Sequence, residues 1–187
     1  ASDIFKCRRS ELALYAHKMP THEQVDRMLK NIKRRLDREP LQHILGIGDF
    51  YGYEFRVSSD VLIPRPETET LAELALGFLQ PLTSQIVFDL GTGSGCIAIT
   101  LAKRCPGLKV IASDVSESAL NLAKLNAETF NAIEQVEFRE ADGLAALVEG
   151  EQVDLIVSNP PYIPSGDISG LQPEVRHYDP HLALDGG

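Results

Sequence analysis

The sequence predicts an α/β protein: an open parallel sheet with flanking helices, preceded by a small helical unit and a β-hairpin. Three observations carry this. From residue 85 onward short apolar runs alternate with helical stretches, the rhythm of strands joined by covering helices. A glycine-rich turn stands at the first strand-to-helix junction. Before residue 67 the pattern differs, first helical and then hairpin-like. The expected division is a partial helical domain over 1–41, a hairpin linker over 42–66 and the sheet domain over 67–187.

Residues 10–19 and 21–38 read as two helices. In the second, Val25, Met28, Leu29, Ile32 and Leu36 recur at helical spacing. Thr21 with Gln24 three residues on makes a capping box, and Pro40 stops the helix. Over 42–63, Gly46, Gly48 and Gly52 punctuate a run of aromatic and β-branched residues, and Tyr53, Phe55 and Val57 alternate. This predicts a short hairpin. Pro64 and Pro66 stiffen the next turn, and a helix follows from Glu67 to Leu79. The sheet domain then reads Ile86–Leu90 strand, Gly91–Gly95 turn, Cys96–Arg104 helix, Lys109–Asp114 strand, Ser116–Asn131 helix, Gln135–Ala141 strand and Val153–Ser158 strand. Ala1 instead of Met, Gly186-Gly187 at the end and only four core strands suggest a piece of a longer chain.

Composition narrows the function classes. No run of about 18 uncharged apolar residues is present, so no membrane span is expected. No charged-then-apolar stretch opens the sequence, so secretion is not expected, and Cys7, Cys96 and Cys105 lack disulfide-framework or C-x-x-C spacing. A cytoplasmic, metal-free monomer is expected. The net charge of −9 is uneven: +3 over residues 1–50 and −12 over 51–187. Phosphate neutralisation needs clustered cations, so no stable nucleic-acid partner is expected there.

Asp89-Leu90-Gly91-Thr92-Gly93-Ser94-Gly95 joins a strand to a helix. Glycines there let the backbone turn sharply and approach a ligand. The spacing is neither the dinucleotide fingerprint nor a Walker A loop, since no Gly-Lys-Ser/Thr follows. S-adenosyl-L-methionine, which carries an amino-acid end and no phosphates, suits this turn better. Asp114 ends the next strand, 19 residues after Gly95, where a carboxylate can accept ribose hydroxyls. Asp142, before Gly143, can accept from an adenine amino group or serve as an ordinary turn residue. Asp89 can hold the turn or face the donor's amine through water. The cofactor-binding candidates are Gly91, Thr92, Gly93, Ser94, Gly95, Asp114, Asp142, Gly143 and Asn159.

Asn159-Pro160-Pro161-Tyr162 follows the last apolar strand and should face the same crevice, because ligands of open parallel sheets bind beyond the strands' carboxyl ends. The prolines fix backbone carbonyls that, with the Asn159 side-chain oxygen, can accept both hydrogens of one NH₂ group. Tyr162 offers a face to a planar group. Asn159, Pro160 and Tyr162 are the catalytic candidates and Asn159 to Tyr162 the substrate-binding ones. Neither His177 nor His181 is needed as a base.

Asp89–Gly95, Asp114 and Asn159–Tyr162 resemble the class I methyltransferases that modify exocyclic or amide nitrogen. Leu62-Ile63-Pro64-Arg65-Pro66-Glu67-Thr68-Glu69, with Asn159–Ile163 and Ala183–Gly187, is similar to the HemK/PrmC group, the release-factor glutamine-N5 methyltransferases. The resemblance spans about residues 10–187. It implies a Rossmann-like sheet, a helical domain that helps dock a release factor, S-adenosyl-L-methionine on Gly91–Gly95, Asp114 and Asp142-Gly143, and the Gln of a Gly-Gly-Gln loop on Asn159–Tyr162. Family members often carry an aromatic residue where Gly143 stands. An adenine-N6 or other nucleic-acid amino methyltransferase is the alternative, disfavoured by the negative charge. A nucleotide-dependent oxidoreductase and a non-enzymatic interaction domain are the further alternatives.

Overall fold

The computed structural model describes residues 2–79 and 85–187, Arg9 by its backbone alone. Strands β3 (Ile86–Leu90), β4 (Lys109–Asp114), β5 (Val136–Glu140) and β6 (Leu155–Ser158) form a parallel sheet in the order β5-β4-β3-β6. Before them lie α1 (Ser2–Phe5), α2 (His22–Leu36), α3 (Leu41–Leu45), the antiparallel pair β1 (Ile47–Phe50) and β2 (Tyr53–Arg56), and α4 (Pro66–Leu79). Helices α5 (Cys96–Arg104) and α6 (Glu117–Thr129) connect β3 to β4 and β4 to β5.

Topology explains how the layers are covered. The chain steps from β3 to β4 to β5 in one direction, and right-handed crossovers put both connecting helices on one face. Val87, Val110, Ala112, Val136 and Val157 point there and pack with residues of α4 and α5. From β5 the chain returns past β3 to β6, so that connection crosses the opposite face. Among the described residues it is covered by the 3₁₀ turn Gly143–Ala146 and its flanks, with Ala146, Leu147 and Val153 packed near Phe88 and Ile111. The expected flanking helices therefore lie on one side of the sheet among the described residues. The reversal between β3 and β6 opens a crevice at their carboxyl ends.

The N-terminal part departs from expectation in one place. The stretch expected as an α-helix over 10–19 is a 3₁₀ helix, Arg9–Tyr15. None of residues 10–15 is buried, and Leu14 lies 77 % exposed, so no apolar face repays a longer α-helix. Helix α2 starts as its capping box requires: Gln24 N–H donates to Thr21 Oγ1 at 3.2 Å and Thr21 N–H to Gln24 Oε1 at 2.9 Å. Arg35 of α2 and Arg38, two residues past its end, reach Glu174 on α7 (Pro173–Tyr178), at 3.3 and 2.8 Å. Tyr178 Oη donates to the Asp37 carbonyl at 2.7 Å.

The hairpin is tighter than the 42–63 span expected for it. Residues 41–45 form α3, ended by Gly46 with φ of +74°. The two strands then turn on Tyr51 and Gly52, both with positive φ, as a two-residue type I′ turn needs. Phe50 and Phe55 are fully buried, and Phe55 packs on Phe130 with ring centroids 4.9 Å apart.

Candidate active site

The glycine turn is built from behind by buried polar groups. The Gly91 and Thr92 N–H groups donate to the Ser113 carbonyl at 2.9 and 2.8 Å, tying the turn to β4. Gly91, Gly93 and Gly95 have φ of +74°, +54° and +79°. Gly95 also needs the space: a Cβ there would sit 2.9 Å from Ile99 Cδ1 and 3.1 Å from Ala123 Cβ. Asp89, fully buried, accepts from Thr92 Oγ1 at 2.6 Å and from the Ala98 N–H at 3.2 Å. Its Oδ1 has no partner. Burial pushes its carboxyl up to about 6, against the pull of the Thr92 and Ala98 hydrogen bonds.

Asn126 was not anticipated from the sequence. It is fully buried in α6, accepts from the Arg56 N–H at 2.9 Å, and donates to the Arg56 carbonyl at 3.1 Å and the Ser94 carbonyl at 2.8 Å. One amide thus welds the hairpin to the glycine turn. A polar residue amid Ala119, Leu120, Ala123 and Ala127 on a helix's buried face is the signal that could have revealed it.

Asp114 closes the front of the turn. Its Oδ2 accepts from the Gly93 N–H at 2.9 Å and its Oδ1 from the Ser116 N–H at 3.0 Å. Each oxygen keeps a lone pair for a further donor. A cavity of about 650 Å³ opens here. Gly91, Thr92, Gly93, Ser94, Asp114, Asp142, Gly143, Asn159 and Pro161 all line it, whereas Gly95 lies behind it in the helix junction. Gly143 has φ of +55°, and a Cβ there would meet nothing within 4 Å.

The Asn-Pro-Pro-Tyr corner stands on the opposite wall. Ser158 Oγ donates to the Leu90 carbonyl at 2.8 Å, holding the ends of β6 and β3 together. Asn159 Nδ2 donates to Thr68 Oγ1 of α4 at 3.2 Å, and its Oδ1 is left for another donor. A second cavity of about 560 Å³ adjoins the first, and Asn159 lines both. Pro160 and Tyr162 line only the second, where Tyr162 is 77 % exposed. The chain returns to this corner at its end: the Gly186 N–H donates to the Ile163 carbonyl at 2.9 Å, and a Cβ on Gly186 would sit 2.8 Å from the Pro161 carbonyl oxygen. His177 and His181 line neither cavity.

The proline-rich string that runs into the first turn of α4 anchors three parts of this architecture. Arg65 pairs at 2.6 Å with Asp179, a buried residue beside Pro180 on the cavity wall. Thr68 holds Asn159, and Glu69 accepts from the Tyr51 N–H in the hairpin turn at 2.7 Å. Burial lifts the Asp179 carboxyl above its ordinary range, while Arg65 pulls it back. Cys96 also lines the cavity, but burial pushes its thiol up to about 12, which keeps it protonated and poorly nucleophilic. All three cysteines are free. Among the described residues no His, Cys, Asp and Glu cluster could hold a metal ion, and no helix is long and apolar enough to cross a membrane.

Comparison with known proteins agrees with this geometry. The family model described as methyltransferase small domain matches residues 67–170, more than half of the chain, and the PrmC N-terminal domain model matches residues 1–46. A release factor glutamine methyltransferase of Chlorobaculum tepidum is 47% identical over 97% of this chain and 64% of its own length. One from Koribacter versatilis is 46% identical with the same shares, and one from Staphylococcus aureus 40% identical. The chain thus spans about 64% of the length of these curated relatives. The crystal structure of a SAM dependent methyltransferase from Agrobacterium tumefaciens shares the fold, with a TM-score of 0.53, 20% identity, and coverage of 62% of this chain and 39% of that one. With these matches over its sheet domain and its helical N-terminus, the chain belongs to the methyltransferase small-domain family, and its first 46 residues match the N-terminal domain of PrmC.

Proposed function

We propose that this chain is the catalytic part of a methyltransferase that moves the methyl group of S-adenosyl-L-methionine to the side-chain amide nitrogen of a Gln, the Gln of a Gly-Gly-Gln loop in a peptide-chain release factor. Relatives 40–47% identical, each a release factor glutamine methyltransferase, support the acceptor. The observation that carries the reading is Asn159, which lines both cavities with its Nδ2 already engaged and its Oδ1 free.

The first cavity fits the donor. Its volume lies in the range of small-molecule sites. The unpartnered Asp89 Oδ1 is a buried acceptor awaiting a donor group. Gly91–Ser94 would hold the methionine end, with the buried Asp89 behind the turn, Asp114 the ribose hydroxyls, and Asp142 and Gly143 the adenine end. When bound, the donor supplies a sulfonium-activated methyl group, released with the bonding pair kept by sulfur as the amide nitrogen gains the carbon and then sheds a proton to water.

The chain's own contribution is orientation and electrostatics. An amide nitrogen is a poor nucleophile because its lone pair is delocalised. Asn159 Oδ1 and the Pro160 carbonyl would accept its two N–H bonds, turning the lone pair toward the methyl group and stabilising positive charge as it builds on nitrogen. Pro160 and Pro161 fix those acceptors at no entropic cost during the reaction. Tyr162 would flank the planar amide on the partner side.

Methyl transfer tests this directly. Full-length protein, labelled donor and purified release factor should give labelled Gln, and changing that Gln to Ala should abolish the label. Label persisting in the Ala control, or appearing on nucleic acid instead, contradicts the assignment.

A further inference from the structure

We infer that Thr68 is a positioning residue that sets which way the Asn159 amide faces, and so presents an oxygen rather than an NH₂ group to the acceptor. This rests on the amide-methylation reading above. An Asn side chain has two nearly isosteric ends, one donating and one accepting. At the junction of the two cavities either end would fit sterically, but only the oxygen serves an incoming N–H. The opposite orientation would set donor against donor.

Among the described residues one side chain partners the Asn159 amide, and it meets the nitrogen end. Asn159 Nδ2 lies 3.2 Å from Thr68 Oγ1 in donating geometry. Thr68 itself is buried and lines both cavities beside Asn159. A β-branched side chain in a helix has few χ1 choices, two for Thr, which limits where its hydroxyl can sit. The first turn of α4 that carries it is pinned on both sides. Arg65 pairs with Asp179 before it, the Thr68 N–H donates to the Arg65 carbonyl at 3.0 Å, and Glu69 accepts from Tyr51 after it. The proline-rich string therefore acts as a rigid bracket, and its Thr is the point where the bracket touches the reaction centre's neighbour. Thr68 touches no reacting atom in this account. It acts through Asn159.

Three variants of the full-length protein test this. Thr68→Val keeps the shape and removes the acceptor, Thr68→Ser keeps the hydroxyl, and Thr68→Ala serves if the Val form does not fold. The expected result for Val or Ala is a kcat about 10- to 100-fold lower, with cofactor Kd changed less than about twofold and Ser near wild type. A Val and an Ala form both turning over at the wild-type rate, or a Ser form as slow as Val, overturns the inference. A second readout needs no substrate. The Asn159 side-chain ¹H–¹⁵N signals should be alike in wild type and Ser and displaced in Val. Unchanged signals in Val overturn the Thr68 role even if methyl transfer stands. Displaced signals together with an inactive wild type would instead locate the failure in the acceptor assignment.

Discussion

The glycine-turn wall is held from behind by fully buried side chains, whereas the Asn-Pro-Pro-Tyr wall is held by proline geometry, the side-chain hydrogen bonds of Ser158 and Asn159, and the backbone pairing of Ile163 with Gly186. Asp89, Asp114 and Asn126 bind the first wall into the sheet, α5, α6 and the hairpin. The second wall is half open, and its Tyr162 projects into solvent. The difference matches what each wall would have to do. A small donor can be enclosed by a preformed site, while a loop on a large protein needs an accessible rim. On the proposed reading, preorganisation is concentrated where the small donor would bind, and rigidity on the acceptor side would come from a backbone that cannot relax.

If the walls divide the work in this way, their variants should separate. The largest effect is expected for Asn159→Ala, which should lower kcat about 10²- to 10³-fold while leaving cofactor affinity nearly intact. Single-turnover kinetics with calorimetry checks both halves, and an equal loss of both would erase the division. Next, Asn126→Ala strands the Arg56 N–H and leaves two carbonyls without their donor. It should cost about 2–3 kcal/mol in chemical denaturation, and a neutral result would mean water replaces the amide.

Asp114→Ala should weaken cofactor binding about 10- to 100-fold, with a smaller change in the rate at saturation. An unchanged affinity would remove Asp114 from the donor wall. The smallest effect concerns Asp89. Its folded pKa of about 6 lies above the ordinary 3.8, so the proton-bound form favours the native state. That contribution is complete below 3.8 and is lost as pH rises through about 6, on the order of 1–3 kcal/mol. Melting temperatures measured from pH 4 to 7 should fall less with pH in Asp89→Asn than in wild type, and parallel curves would contradict the assignment.

What was legible in the sequence was local. Strand β3, the glycine turn and β4 follow from alternating apolar runs and from glycines where positive φ is required, and Asp114 follows from its place at a strand's end. The capping box at Thr21 and Gln24 formed as written. The features that escaped depend on distant partners. Asn126 looks like any polar residue in a helix, since its partners lie 70 and 32 positions away. Arg65 meets Asp179 across 114 positions and Thr68 meets Asn159 across 91. Helix α7 carries six residues and no buried face, so it leaves no periodic trace. The one-sided covering of the sheet depends on strand order, which periodicity does not encode.

The claim beneath all of this is that two loops far apart in sequence form one reaction rim. A crystal structure of the full-length protein with S-adenosylhomocysteine and a Gly-Gly-Gln peptide tests it most directly. The account predicts the thioether sulfur over Gly91–Gly95, the Gln amide hydrogen-bonded to Asn159 Oδ1, and room for one methyl group between them. A Gln seated away from Asn159, or a cofactor bound outside the glycine turn, would contradict it.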